Sequence, residues 1–284
     1  MSGPPGGTQT THNVELGAAI VVKEFRSWGR GEHRREWGAL TLLAKHAPGL
    51  APVPLREQLD RQPPRMVMSR LPGCPLGRGP VPAGDLTKLL VARQRLQRSA
   101  PAAVLDSLPL RLWHPAEALT TLRGHSDATL RGHSETAADG GLSALVGDAL
   151  GAGWAWIRGA ELDRFAAARP DYVLGHADGN LANYLVEGRS CRAVDFEDSG
   201  RSDATYELAD LLEHLSSWLT GAVEADAVLR CGSLDGIDPT RLLTARRLFG
   251  CFWLLRLLPG GGGHARNAPG TLERQAARLL DLLG

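Results

Sequence analysis

Residues 176–183 read HADGNLAN, and residues 194–197 read VDFE; these two stretches decide the fold. Residues 184–186 and 191–194 are two short apolar stretches, and the glycine-containing EGRS at 187–190 separates them. This pattern is typical of a β-hairpin. A hairpin brings its two ends together. We therefore expect the two polar stretches to lie side by side in the folded chain.

The polar side chains of interest on these stretches are Asp178, Asn183 and Asp195. Phosphoryl transfer from a magnesium-bound nucleotide requires such a set: one carboxylate takes a hydroxyl proton, while an amide and a second carboxylate provide hard oxygen ligands for Mg²⁺. The alternative is that both aspartates are ordinary turn residues, since Asp-Gly favours turns.

The spacing His-x-Asp-x-x-x-x-Asn is that of a kinase catalytic loop, and Asp-Phe-Glu at 195–197 stands where a protein kinase has Asp-Phe-Gly. With Ala177 and Glu197, the chain resembles the aminoglycoside phosphotransferase and choline kinase-like family, over about residues 6–258. The resemblance implies an α+β, two-lobed protein-kinase-like fold. A small antiparallel β N-lobe would span residues 1–72 and a larger, mainly α C-lobe residues 73–284.

The order of predicted elements agrees with such a fold. Residues 12–25 read as a strand pair, 31–47 as a helix and 66–73 as a strand that stops at Pro-Gly. Helical periodicity follows in a series of later segments: 84–98, 140–150, 153–168, 203–219, 222–231, 238–258 and 270–283. Residues 121–136 contain an eight-residue tandem duplication, which we interpret as a surface loop. The family has a strand before its glycine-rich loop, whereas here the chain begins almost at Gly6 and Gly7.

Lys23 lies in a largely apolar stretch, VVKEF, where a charged side chain suggests a specific role. The resemblance implies that its ammonium contacts the nucleotide phosphates and is held by a carboxylate from the next helix. Glu36 is the expected partner and Glu32 the second choice. An exposed strand lysine is the alternative.

The resemblance also implies an adenine site at the end of the strand near residue 68. The carbonyl of Ser69 and the N–H of Leu71 would bond the base, and Met68 would line its pocket. A plain buried strand is the alternative.

By the same resemblance, Asp178 is the expected catalytic base, and Asn183 and Asp195 the expected Mg²⁺ ligands. His176 is expected to hydrogen-bond within the catalytic loop rather than to act as an acid or base. Glu197 is expected to bind further Mg²⁺ or face the substrate, as is Asp198.

Residues 195–226 contain nine acidic residues and one arginine. A concentration of one charge beside a cleft raises the local concentration of an oppositely charged substrate. This favours a cationic acceptor such as an aminoglycoside or another amine. The alternative is that a few of these acids serve Mg²⁺ and the others lie on solvated helix faces.

Composition limits the remaining possibilities. The 284 residues carry a formal net charge of +1, which gives no reason to expect a nucleic-acid partner. Four widely spaced cysteines indicate neither a zinc site nor a disulfide framework. The sequence has no long apolar run and no signal-peptide pattern, so we expect a cytoplasmic protein that does not bind membranes. We expect this protein to be a monomer or a homodimer.

Together these features predict a kinase that uses Mg²⁺ and ATP or GTP to phosphorylate a hydroxyl of a small molecule. Modification of an antibiotic, in resistance or self-protection, is the favoured role. A metabolic kinase for choline, homoserine or an amino sugar is the alternative within the class. A catalytically silent pseudokinase is the alternative outside it.

Overall fold

The computed structural model describes residues 12–77, 79–125, 142–219, 221–230 and 236–284. Gly6 and Gly7 lie outside this part of the chain, as does most of the duplicated segment 121–136. The described residues form a mixed α+β structure, with a small antiparallel sheet in the N-terminal part and a mainly helical remainder. The predicted fold class is confirmed.

The N-terminal part is a four-stranded antiparallel sheet in the order β1-β2-β4-β3. Its strands are β1 (His12–Leu16), β2 (Ile20–Phe25), β3 (Pro54–Gln58) and β4 (Arg65–Ser69). Side chains alternate between the two faces of a strand, so Lys23 lies on the same face as Phe25, and both are buried. The sheet therefore turns the charge of Lys23 inward.

Helix α1 (Glu32–His46) connects β2 to β3. Glu36, Leu40 and Leu43 recur at helical spacing and are all buried. The helix thus presents one glutamate among the apolar residues that pack against the sheet.

The described helices of the C-terminal part are α2 (Ala83–Gln97), α3 (Ala102–Ser107), α4 (Pro115–Gly124), α5 (Ala144–Ile157), α6 (Ala160–Ala167), α7 (Ala204–Glu213), α8 (Leu215–Trp218), α9 (Ala225–Arg230), α10 (Pro239–Leu257) and α11 (Thr271–Leu283). Helix α10 packs against α7 and α11, and α11 also packs against α5.

Two small antiparallel sheets lie in the C-terminal part. One has the order β5-β7-β8 and contains the predicted hairpin, and the other pairs β6 with β9. The strands are β5 (Cys74–Pro75), β6 (Val173–Gly175), β7 (Tyr184–Glu187), β8 (Ser190–Ala193) and β9 (Gly200–Ser202). The Val194 N–H donates to the Asn183 carbonyl at 2.9 Å, which closes the hairpin beside Asp195.

Several predicted boundaries are wrong. The break expected between residues 150 and 153 does not occur, because Gly153 lies inside α5 where a Cβ atom would come within 3.2 Å of Leu279 and 3.3 Å of Cys251. The glycine serves the close approach of neighbouring helices rather than a helix end. The helix expected over 203–219 is interrupted at His214, whose ψ is 137°. The strand expected over 66–73 ends at Ser69.

In the described part of the chain, no helix has the length and apolar character needed to cross a bilayer.

Candidate active site

A cavity of about 370 Å³ lies between the N-terminal sheet and the β7–β8 hairpin. It collects residues from both parts of the chain. Its lining includes seven of the residues predicted from sequence: Lys23, Glu36, Met68, Ser69, Leu71, Asn183 and Asp195.

The Lys23 ammonium is surrounded by carboxylates. Its Nζ lies 2.6 Å from Glu36 Oε2, 2.5 Å from Asp195 Oδ1 and 3.1 Å from Glu197 Oε2. Burial disfavours the charge, but these three carboxylates outweigh it and raise the pKa of Lys23 above its usual range. The ammonium thus links the N-terminal sheet, α1 and the Asp-Phe-Glu segment.

Glu36, and not Glu32, contacts Lys23. Glu32 accepts instead from the Arg30 N–H at 2.9 Å and from the Ser27 hydroxyl at 3.2 Å, at the start of α1. Burial raises the pKa of Glu36, and the neighbouring Lys23 opposes that rise.

His12 is a member of this cluster that the sequence analysis did not identify. Its Nδ1 lies 3.2 Å from Glu197 Oε2 and its Nε2 lies 4.0 Å from Asp195 Oδ2. Because it is the first residue of β1 and 185 positions from Glu197, no local pattern indicates this contact.

Apolar side chains form much of the cavity lining. Val14, Leu16 and Val21 come from β1 and β2, and Leu185 comes from β7. Met68 is buried next to the chain segment 69–71, which also lines the cavity. The volume and this apolar lining suit a flat aromatic base.

Asp178 lies beside Asn183 in the loop formed by residues 176–183. The Asn183 amide donates to Asp178 Oδ2 at 2.7 Å, and the Asn180 N–H donates to Oδ1 at 2.9 Å. Burial raises the pKa of Asp178 to about 6. Since the NH₂ group of Asn183 is used in this bond, its amide oxygen is available to a cation.

His176 connects the two polar stretches. Its Nδ1 lies 3.0 Å from the carbonyl of Asp178, and its Nε2 lies 2.9 Å from the carbonyl of Val194. Ala177 and Asp195, next to these carbonyl groups, have positive φ values of 67° and 68°. Such left-handed conformations are unfavourable for residues other than glycine and occur often at functional sites.

A buried ion-pair network contacts the backbone of the loop at residues 176 and 177. Arg111 lies 2.6 Å from Glu207 and 2.7 Å from Asp210, and it also donates to the Ala177 carbonyl at 3.1 Å. Glu207 accepts from the N–H groups of His176 and Ala177, at 3.0 and 3.2 Å. Although burial opposes ionisation, Arg111 and Arg93 hold the pKa of Glu207 down, at about 2.

The sequence analysis missed Arg111 and Arg93. Arg111 is only 2% exposed, yet its sequence surroundings carry no signal. For Arg93 the sequence does contain a signal of burial, because Arg93 lies on α2 at helical spacing with the buried Leu86, Leu89 and Leu96. Its guanidinium donates to the hydroxyl of Tyr184 at 2.5 Å and to the carbonyl of Glu207 at 2.6 Å.

The acidic stretch 195–226 is much less anionic in the folded protein than in the sequence. Four of its members form ion pairs with arginines from distant segments. The pairs are Asp203 with Arg241, Glu207 and Asp210 with Arg111, and Glu213 with Arg246 and Arg278. The negative charge that faces the cavity is therefore concentrated in the few acids around Lys23.

Those acids fit a divalent cation. One ammonium faces the carboxylates of Glu36, Asp195 and Glu197, so the cluster has more acidic groups than lysine charge. Asp195 and Asn183 offer the oxygen donors that Mg²⁺ prefers, and both line the same cavity.

Several solved structures share this fold. A choline/ethanolamine kinase family protein from Mesorhizobium loti superposes with a TM-score of 0.65 at 18% identity, covering 98% of this chain and 86% of its own. The choline kinase LicA from Streptococcus pneumoniae gives 0.64 at 14% identity, with coverages of 98% and 91%. The spectinomycin phosphotransferase APH(9)-Ia, solved with ADP and spectinomycin, gives 0.61 at 12% identity, with coverages of 99% and 91%.

The sequence itself matches the model of the phosphotransferase enzyme family, APH, over residues 6–243. The chain belongs to this family, and the predicted resemblance is confirmed. No individual curated protein matches the sequence.

Proposed function

We propose that this protein transfers the γ-phosphoryl group of a magnesium-bound nucleotide to a hydroxyl group of a small molecule. One observation carries the proposal: Lys23, Asn183 and Asp195 line a single cavity, and Asp178 lies 2.7 Å from Asn183. A phosphate-binding cation and two oxygen ligands for a metal are thereby combined in one cavity, with a candidate base next to one of these ligands.

In this mechanism Lys23 binds the α- and β-phosphates, and Glu36 orients it. Asp178 accepts the proton of the acceptor hydroxyl as its oxygen attacks the γ-phosphorus, and the nucleoside diphosphate leaves. Asn183 and Asp195 would hold Mg²⁺, which neutralises charge on the phosphates when bound. Because the transition state is loose, the protein contributes mainly by positioning and by electrostatic stabilisation.

We further propose an amine-bearing acceptor. Its support is the acidic surplus around Lys23 together with the half-buried Asp198. Burial and the neighbouring carboxylates raise the pKa of Asp198 to about 7, so an ammonium group bound beside it would favour its ionised form. Fewer acidic residues support this proposal than the sequence alone indicated, because four acids of the stretch 195–226 are paired with arginines.

The proposal is tested by measuring ADP or GDP release with a panel of acceptors: aminoglycosides, spectinomycin, choline, ethanolamine, homoserine and amino sugars. We expect release that depends on one class of acceptor. Growth of a host expressing the protein on the antibiotics of the panel tests the resistance role. Tight nucleotide binding without acceptor-dependent turnover across a wide panel would favour a pseudokinase.

Replacement of the proposed metal ligand provides a second test. We expect Asp195→Asn to reduce magnesium-dependent turnover by at least about 100-fold, because the substitution removes the negatively charged ligand of the pair and leaves only amide oxygens. The matched control is Glu187→Gln, an exposed acid of the same hairpin that pairs with Arg192. Turnover near the wild-type rate in Asp195→Asn would refute the metal role.

A further inference from the structure

A second cavity, of about 350 Å³, lies next to α1. It shares no lining residue with the cavity around Lys23, which is the proposed nucleotide cleft. It lies between one face of α1 and the chain segments 108–109 and 199–200 of the C-terminal part. Its volume falls within the range of small-molecule sites.

Three arginines line this cavity: Arg30, Arg34 and Arg35. None of its described lining residues is acidic. The remaining wall is apolar or small, with Leu108, Pro109 and Leu174 as the larger apolar members. The cavity therefore combines a cationic side with an apolar side.

Arg35 is the central cation. Its guanidinium donates to the carbonyls of Leu110 at 2.7 Å and Ser199 at 3.1 Å, and these bonds hold it in place. Its bonding partners are neutral, and no described carboxylate forms an ion pair with it. Burial lowers the pKa of Arg35, and the charge of Asp198, which is not in contact with the guanidinium, opposes this decrease only in part.

The other two arginines lie toward solvent. Arg34 is 63% exposed and pairs with Asp60, which is 91% exposed, while Arg30 is 41% exposed and pairs with Glu117. Exposed ion pairs of this kind contribute about 0–1 kcal/mol, so a ligand anion can compete for their guanidinium groups. Arg30 and Arg34 thus add charge at the mouth of the cavity.

We propose that this cavity is a binding site for a small organic anion, a carboxylate or phosphate monoester with an apolar body. The anionic group would bind Arg35, with Arg30 and Arg34 adding positive charge at the mouth, and the apolar body would lie against Leu108, Pro109 and Leu174. Arginine suits this role because its planar fork bonds carboxylate and phosphate oxygens in pairs. The site does not depend on the proposed function, and it differs from the nucleotide cleft in every lining residue.

The test is calorimetric titration of the full chain with benzoate and phenyl phosphate as probes. Benzamide, the uncharged counterpart of benzoate, and acetate, which lacks the ring, are the comparison ligands. We expect saturable binding of both probes in the millimolar range or tighter, and binding of benzamide and acetate at least about 10-fold weaker.

Two variants locate the binding. Arg35→Gln keeps an N–H donor for the carbonyl groups but loses the charge, and we expect at least about 10-fold weaker binding. Gly38 lines the cavity on α1, and a Cβ there would meet no atom within 4 Å, so Gly38→Phe is expected to block the mouth without disturbing the helix. The matched control is Gly151→Phe, an exposed glycine with equally open surroundings in α5.

Loss of binding in Gly38→Phe with retention in Gly151→Phe, both with wild-type thermal unfolding, supports the site. Three results would overturn it: no saturable binding of either probe, equal binding of benzoate and benzamide, or unchanged binding in Gly38→Phe. None of these readouts uses turnover, so failure of the site and failure of the proposed kinase activity are distinguishable.

Discussion

Asp178 is the residue on which the proposed proton transfer depends. Its two oxygens accept from Asn183 and from the Asn180 N–H, so its position is set by the loop that also carries the proposed metal ligand. Its neighbour His214 has Nε2 at 3.8 Å, and burial lowers the pKa of this histidine to about 4. A neutral imidazole therefore faces the carboxylate at neutral pH.

We expect Asp178→Asn to reduce kcat by roughly 100-fold or more, because general base catalysis typically contributes about 10²–10⁴-fold. Nucleotide affinity should change little, since Asp178 is not among the residues that line the nucleotide cavity. Steady-state kinetics and nucleotide titration measure the two effects separately. A change confined to KM for the acceptor would mean that Asp178 only binds the substrate.

At the scale of elements, the loop formed by residues 176–183 lies directly on α7. A Cβ atom on Gly179 would fall inside contact distance of the Asp210 carbonyl oxygen and 2.6 Å from its carbon. On Gly175, in β6, a Cβ atom would lie 2.5 Å from Glu207 Oε1. The loop thus approaches the helix more closely than any residue with a side chain permits.

Gly179→Ala is therefore expected to lower the free energy of unfolding by about 1–3 kcal/mol or more, the usual cost of overpacking. Denaturant unfolding measures the change. Gly29→Ala is the control, because Gly29 is exposed and a Cβ there meets nothing within 4 Å. Equal stability of the two variants would show that the loop can move away from α7 at little cost.

The Glu207–Arg111 pair predicts how stability depends on pH. The carboxyl of Glu207 ordinarily titrates near 4.5 and in the fold near 2, so the folded protein binds fewer protons than the unfolded chain between these values. Its contribution is fully present above pH 4.5 and is lost as pH falls from about 4.5 toward 2. We expect an acid-induced loss on the order of 3 kcal/mol from this group.

Urea unfolding from pH 7 to pH 2 measures this loss, with Glu207→Gln expected to give a flatter curve than the wild type. Glu224→Gln, at an exposed position, should retain the wild-type slope. A wild-type slope in Glu207→Gln would assign the acid sensitivity to other carboxylates.

At the scale of the whole molecule, the contact of Lys23 with Asp195 joins the N-terminal sheet to the C-terminal part. A magnesium–nucleotide complex would bind both parts at once and so stabilise the folded protein. At 100 times its Kd, a ligand adds about 2.7 kcal/mol, which raises Tm by roughly 4–5 °C for a chain of this size.

We therefore expect ADP with Mg²⁺ to raise Tm by that amount in a thermal unfolding experiment. Removal of Mg²⁺ with EDTA should abolish most of the rise, because the carboxylates around Lys23 then face the phosphates without a bridging cation. An equal rise with and without Mg²⁺ would contradict the assignment of Asn183 and Asp195 as metal ligands.

The local pattern of the sequence was enough to predict the hairpin beside Asp195, and two short stretches carried the resemblance from which the fold class and the family were predicted. These follow from short-range features, namely strand alternation, turn residues and the spacing of the HADGNLAN and VDFE stretches, which act over a few residues. Lys23 and Glu36 could be paired in advance only through the resemblance. Their contact, and the rejection of Glu32, required the packing of α1 on the sheet.

Only the tertiary structure decided which charges remain. The sequence shows one arginine among nine acids at 195–226, whereas Arg111, Arg241, Arg246 and Arg278 neutralise four of these acids from outside that stretch. The cavity beside α1 is likewise formed by segments that are far apart in sequence. Charge compensation and cavities depend on distances across the fold, because electrostatic and packing energies act through space, and a linear pattern does not contain those distances.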